Sequence, residues 1–169
     1  MRTVRFRTNG ETRTGTIEDD QIKTANGSYD RSEVKLLPPC DPNKVIAVGK
    51  NYSGHVKAIL GEVQRDEFPM LFFKPLSSMI ADNQDIVYPE TTEFVDYEAE
   101  LGVVIGTECS SVSEGDATEY IKGYTCVNDV TARDWQQREE QWSRAKGLDT
   151  FCPVGPCIQT DVEDSLDIE

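Results

Sequence analysis

The residues best placed to do chemistry lie in F-V-D-Y-E-A-E-L-G-V-V, Phe94 to Val104, where Glu98 and Glu100 stand two apart. On a strand, residues two apart project from the same face, about 6.6 Å apart along the chain. Two carboxylates so placed can lean on one hard cation, with bonds to oxygen of about 2.1 Å for magnesium. Tyr97, Ala99, Leu101 and Val103 make the opposite face, an apolar row suited to a core. Gly102 follows on the acidic face and leaves room beside an ion. Taken alone, the pattern equally describes a half-solvated strand that carries two acids. The other segments decide between these readings.

Those segments are V-G-K-N-Y-S-G-H (48–55), L-F-F-K-P (71–75), N-D-V-T-A-R-D-W-Q (128–136) and A-K-G-L-D-T-F-C-P-V-G-P (145–156). The first holds the one histidine of the chain, His55. Each residue has a plain structural alternative. A lone histidine is often a packed one, Asp129 after a strand can be a turn acid, and Lys74 before a proline can be a surface residue. Arg133 and Gln136, four and seven residues after Asp129, would share its face at a helix start.

The elements that must position these groups read as mostly strands. Residues 2–17 alternate around Asn9-Gly10, a strong hairpin signal. Val34 to Asn43 is punctuated by prolines and separates a small β-rich unit (1–37) from the main domain (44–169), with 38–43 as connector. Strands are expected at Lys44–Val48, Met70–Phe73, Tyr97–Ile105 and Tyr124–Asn128, and a short helix at Ser53–Leu60. Further helical segments are expected at Ser113–Ile121, capped by Ser113, and at Ala132–Trp142, opened by a weakened capping box of Thr131 with Asp134. So few strands would leave open sheet edges, and the acidic end D-V-E-D-S-L-D-I-E carries no closing signal. This suggests the front part of a larger catalytic domain, C-terminally truncated.

These motifs in this order resemble the fumarylacetoacetate hydrolase family, from about Leu36 to Ile158, and in particular its shorter acylpyruvate hydrolase, oxaloacetate decarboxylase and 2-hydroxyhepta-2,4-diene-1,7-dioate isomerase members. The resemblance implies a β-rich α+β fold, a β-roll catalytic domain that is incomplete here, behind a small N-terminal β-rich appendage. It implies an enzyme with Glu98, Glu100 and Asp129 as ligands of Mg2+ or Mn2+, with Ca2+ possible. Its substrate would be a small 2-oxo or 2,4-dioxo acid that chelates the ion. Arg133, Gln136 and Lys146 would hold developing charge at the substrate. Lys74, Tyr52 and Thr150 would contact it, and His55 would deprotonate water. Hydrolysis of a C–C bond in acylpyruvate-like acids is the leading expectation. Many hydrolytic members carry a glutamate three residues after this histidine, where the chain has Ala58; Glu62 lies seven on. That departure favours the family's decarboxylases and isomerases, which need no activated water. A truncated, inactive metal-binding fragment is a further alternative. A homodimer is also implied.

Composition adds boundaries. Of 169 residues, 31 are acidic and 17 basic, for a net charge of −14 and a pI near 4.4. Nucleic acid and anionic membranes are poor partners for such a surface. No apolar run is long enough for a membrane span or a signal peptide, so a cytoplasmic location is expected. The five cysteines are scattered, with no C-x-x-C pair, and read as buried free thiols. The dispersed acid excess reads as a halophilic surface, whose self-repulsion high salt suppresses. The melting temperature should therefore rise between dilute buffer and molar potassium chloride; a flat or falling value refutes the halophilic reading.

Overall fold

The computed structural model of the chain describes residues 1–52 and 68–162. The helix expected at Ser53–Leu60, and with it His55, Ala58 and Glu62, lies outside the described residues. Strands β1 (Arg2–Thr8) and β2 (Glu11–Glu18) form the expected antiparallel hairpin, with Thr8 opposite Glu11. Asn9 and Gly10 have φ of 49° and 79°, the two left-handed residues that a type I′ turn requires and that Asn-Gly adopts readily. A second hairpin, β3 (Gln21–Thr24) with β4 (Gly27–Asp30), occupies the stretch that reads only as polar. Its one fully buried residue, Ile22, was too thin a signal for a strand.

Strand β5 (Lys35–Leu37) pairs with β1 and ends where the connector begins. The Arg5 guanidinium pins that connector by donating to the carbonyls of Pro38 at 3.0 Å and Cys40 at 2.8 Å. Val4, Phe6, Ile17, Ile22 and Leu36 form a closed apolar core here, with the Tyr29 ring 5.2 Å from that of Phe6.

The remaining strands are β6 (Val45–Gly49) paired with β7 (Met70–Lys74), β8 (Met79–Ile80), β9 (Val95–Asp96), β10 (Ala99–Ile105), β11 (Ile121–Asn128), β12 (Thr131–Ala132) and β13 (Cys152–Gln159). The helices α1 (Arg133–Arg138) and α2 (Ser143–Lys146) are short. One sheet runs β10-β11-β13-β1-β2-β3-β4. The N-terminal hairpins and the acid-bearing strand are thus joined through β1 and β13, where Arg2 faces Gln159 and Thr3 faces Ile158. This is the β-rich α+β architecture anticipated above.

Several local expectations are corrected. No strand is expected at C-P-V-G-P-C-I-Q, yet β13 pairs with β11 there through Val154 and Gly155, beside a register shift between Tyr124 and Cys126. Such an irregular ladder tolerates proline. The Ser113 segment is a 3-10 helix over Glu114–Tyr120 with no buried residue, and Ser113 Oγ donates to the Asp116 side chain at 2.8 Å instead of capping a backbone amide. Thr131 caps nothing. It sits in β12, and its hydroxyl donates to the Asp129 carbonyl at 2.9 Å. Of the thiols, Cys152 is buried and Cys40 and Cys157 are half-buried, whereas Cys109 and Cys126 are exposed. Burial pushes the Cys152 thiol up to about 11.

The largest correction concerns β10. Its apolar row is the outer face among the described residues: Tyr97 is 74% exposed, Leu101 38% and Val103 49%. The acid-bearing face is the covered one. Gly102 lies against β11, where an added Cβ would stand 2.7 Å from Val127 Cγ2, so close strand packing requires the glycine. Alternation shows that a strand has two faces; it does not show which one the fold covers.

If the N-terminal core holds this half of the sheet together, truncating Phe6, which is fully buried, should be costly. Phe6→Ala is expected to destabilise by about 3–5 kcal/mol in urea unfolding. A loss below about 1 kcal/mol would contradict the role of that cluster.

Candidate active site

Two segments distant in sequence meet through short, specific backbone pairing. Strands β9 and β12 set Asp96 opposite Thr131 and Val95 opposite Ala132. Just beyond, the Asp129 amide donates to the Glu98 carbonyl at 2.9 Å, and the Glu98 amide donates to the Asn128 side-chain oxygen at 3.2 Å. The N-D pair thus divides its work: Asn128 holds the backbone of Glu98, and Asp129 turns its own carboxylate inward. Behind them Val130, Ala132 and Phe151 form a second apolar core.

The side chains then close into one charged cage. The Lys146 ammonium, 1% exposed, donates to Glu98 Oε2, Asp129 Oδ2 and Thr131 Oγ1, each at 2.8 Å. It also sits 5.3 Å from the Phe72 ring centroid. Lys74, 3% exposed, donates to Asp129 Oδ1 and to the Lys146 carbonyl. Arg133 Nη1 donates to Glu98 Oε1 and, at 3.0 Å, to Gln136 Oε1, while its Nε donates to Asp96 Oδ2 at 2.9 Å. Asp129 itself is 4% exposed. Charges this deep persist only because each has partners on several sides.

The electrostatics follow from that packing. Burial works to raise the Glu98 carboxyl, but the Lys146 ammonium and the Arg133 guanidinium outweigh it and hold the group below the usual carboxylate range. Burial raises Glu100; Asp129 and Glu98 nearby add to the effect, and the Tyr52 hydroxyl and Lys146 oppose it. Burial also lowers Lys74, more than the neighbouring Asp129 restores. Asp96, Glu98, Glu100 and Asp129 therefore face Lys74, Lys146 and Arg133: four carboxylates against three cations. The cage has an excess of negative charge.

Carboxylate oxygens are the donors that a hard cation takes. Glu98 Oε2 and Asp129 Oδ2 already converge on one positive charge, that of Lys146. Glu100 stands beside them, close enough for its carboxyl to be raised by both acids. Among the described residues, however, no group of three or more acids, cysteines or histidines surrounds a single ion-sized point. Two of the three expected ligands meet, and the third is adjacent.

The other expected residues fall in place unevenly. One trough takes in Tyr52, Lys74, Arg133, Gln136 and Lys146 with the three acids. Arg133 reaches the cage because β12 is zipped to β9; Asp129 precedes that strand and shares no helix with Arg133. Lys74 was expected at the substrate, but its ammonium is engaged by protein oxygens under Asp129. Thr150 lies apart from the cage, and its hydroxyl accepts from the Val87 amide at 2.9 Å. Tyr52 accepts from the Leu101 amide at 3.3 Å. Three contributors escaped the sequence reading: Asp96, Asn128 and Thr131. Asp96 was within reach of the argument, since it continues the two-residue spacing of Glu98 and Glu100.

The chain matches the family described as "Fumarylacetoacetate (FAA) hydrolase C-terminal" over residues 44–169, and "Rv2993c-like, N-terminal" over residues 1–39. It is 44% identical over 135 residues to oxaloacetate tautomerase YisK of Bacillus subtilis, covering 77% of this chain and 44% of that protein. The solved structure of 5-carboxymethyl-2-hydroxymuconate delta-isomerase from Mycobacterium smegmatis is similar with a TM-score of 0.84 at 39% identity, covering 96% of this chain and 68% of that one. Maleylpyruvate hydrolase from Sphingobium sp. SYK-6, solved with manganese(II) and pyruvate, is similar with a TM-score of 0.72 at 26% identity, covering 95% of this chain and 67% of that one. The chain spans about half to two thirds of the length of the curated relatives it matches. A family match over most of the chain, on a fold shared with these structures, leaves one conclusion: the chain belongs to the fumarylacetoacetate hydrolase family.

Proposed function

We propose that this site holds one Mg2+ or Mn2+ through Glu98, Glu100 and Asp129 and turns a 2-oxo acid into its enolate. The observation that carries the reading is the convergence of Glu98 Oε2 and Asp129 Oδ2 on a single buried cation, each at 2.8 Å. When bound, the divalent ion supplies the Lewis acidity that stabilises negative charge on the 2-oxo oxygen. Charge balance supports the need for it. A cage of four carboxylates and three cations repels an anionic substrate, and two added positive charges reverse the sign. Arg133 and Gln136 line the same trough, where they would meet charge that develops on the substrate, while Lys146, also in the trough, spends its three donors on Glu98, Asp129 and Thr131. Asp96 and Glu98 hold the Arg133 guanidinium in one orientation, so little reorganisation is needed as that charge grows.

Two reactions can follow from an enolate. Tautomerisation or isomerisation needs only that a proton move between carbon and oxygen. C–C hydrolysis, as of an acylpyruvate, needs in addition a water activated by a base, for which His55 is the candidate. Ala58 stands where a glutamate would orient that histidine, and a 44% identical relative is an oxaloacetate tautomerase. Both observations favour proton transfer, so enol–keto chemistry of oxaloacetate-like acids is the reading adopted. Acylpyruvate hydrolysis is the second reading, supported by the likeness to a maleylpyruvate hydrolase, and decarboxylation of a β-keto acid a third.

The reactions separate in a direct assay with magnesium. The enol absorbance of oxaloacetate should decay faster with the protein than without it, while acetylpyruvate persists and no carbon dioxide evolves. Consumption of acetylpyruvate with oxaloacetate untouched would establish hydrolysis instead. The cation reading has its own test, calorimetry with oxalate, a planar mimic of an enolised 2-oxo acid. Oxalate is expected to bind the wild type only when magnesium is present, and at least about tenfold more weakly to Glu100→Ala. Equal oxalate binding with and without magnesium would refute it.

A further inference from the structure

We propose that the trough carries a second subsite, formed by Thr125 and Lys122, that holds the far carboxylate of a 2-oxo dicarboxylate longer than oxaloacetate. This rests on the reading of the cage as the seat of a 2-oxo acid and narrows the substrate class. The trough does not end at the acids. Its walls also include Thr125, Lys122, Cys40 and Arg5. Thr125 stands opposite Gly102 in the β10–β11 ladder, on the face that carries the acids. It therefore lies about 7 Å beyond Glu100 and about 13 Å beyond Glu98 along the strand. Oxaloacetate is too short to span this distance, whereas a 2-oxo diacid a few carbons longer reaches across it.

Thr125 is 7% exposed, and among the described residues its Oγ1 is the one buried side-chain nitrogen or oxygen without a hydrogen-bond partner. An unpaired buried hydroxyl is destabilising, yet the fold keeps one in the wall of the trough. Its methyl is turned to β10, since a Cβ added at Gly102 would stand 3.0 Å from Thr125 Cγ2. The hydroxyl is thus directed away from that strand. Positive charge gathers at this end, in a chain of net charge −14. Burial raises the Cys40 thiol, and the Arg5 guanidinium and the Lys122 ammonium oppose it, so both cations lie near it. The Arg5 donors are taken by the carbonyls of Pro38 and Cys40, and its charge is paired with Asp41 at 3.4 Å. Lys122 is exposed and joins no ion pair among the described residues. A hydroxyl donor together with a free ammonium suits a carboxylate.

The test is calorimetry on the full chain with magnesium, comparing 2-oxoheptanedioate with 2-oxoheptanoate, which has the same length and lacks the second carboxylate. The wild type is expected to bind the diacid about tenfold or more tightly. In Thr125→Val, which keeps the shape and removes the hydroxyl, that ratio should fall by about threefold or more. A merely structural role would weaken both acids together and leave the ratio unchanged. Equal binding of the two acids by the wild type overturns the proposal. So does an unchanged ratio in Thr125→Val, which would assign the hydroxyl to a bound water only. If Thr125→Val does not fold, Lys122→Met, altered at an exposed side chain, carries the same expectation and the same refutation. Oxalate separates this proposal from the reading beneath it. A wild type that binds oxalate with magnesium and shows no preference for the diacid loses only the subsite, whereas one that binds no oxalate loses both.

Discussion

The Lys146 ammonium, buried between Glu98 and Asp129, is the interaction on which the rest of the main domain depends. An ion removed from water costs several kcal/mol unless partners replace its hydration. Lys146 has three such partners at 2.8 Å, from β12, from the turn before it and from the residue before β10. Each of those partners then requires its own. Arg133 and Lys74 occupy the far oxygens of the two carboxylates, and Asp96 and Gln136 fix Arg133 in turn. The cage is therefore cooperative, since removing one member strands a buried charge on another.

That requirement explains the local architecture. Strands of two residues, β9 and β12, would be marginal alone, yet they place Glu98 against Asp129 to within a backbone hydrogen bond. The apolar residues Val130, Ala132 and Phe151 sit directly behind the acids, keeping water from the rear of the cage. The N-terminal hairpins contribute from a distance. Through β1 and β13 they extend the sheet that carries β10 and β11, and their core of Val4, Phe6, Ile17, Ile22 and Leu36 is the larger of the two apolar clusters among the described residues.

Within the family, one scaffold serves hydrolases, isomerases and tautomerases, so the fold does not name the reaction. The reaction proposed here passes through an enolate, and the groups proposed to stabilise it are those gathered in the trough. In the proposed reading the family's chemistries differ in the handling of water, and the residues proposed to bear on that, His55 and Ala58, lie outside the described residues. The family assignment and the reaction class therefore rest on different residues of this chain.

Much of this was legible in the sequence. Asn9-Gly10 determines its hairpin because few dipeptides accept two left-handed residues, and that constraint is local. The order of the motifs around Tyr52, Lys74, Glu98, Glu100, Asp129 and Lys146 was enough to recognise the family. Local patterns could not say which face of β10 is covered, because alternation is symmetric between faces and only packing against other segments breaks the symmetry. Nor could they give Lys74 its place beneath Asp129 or bring Asp96 to Arg133. Those contacts join residues 55 and 37 positions apart. The sequence by itself determined which charged groups the molecule owns. The tertiary structure decided which of them must neutralise one another, because only burial makes a charge depend on its neighbours.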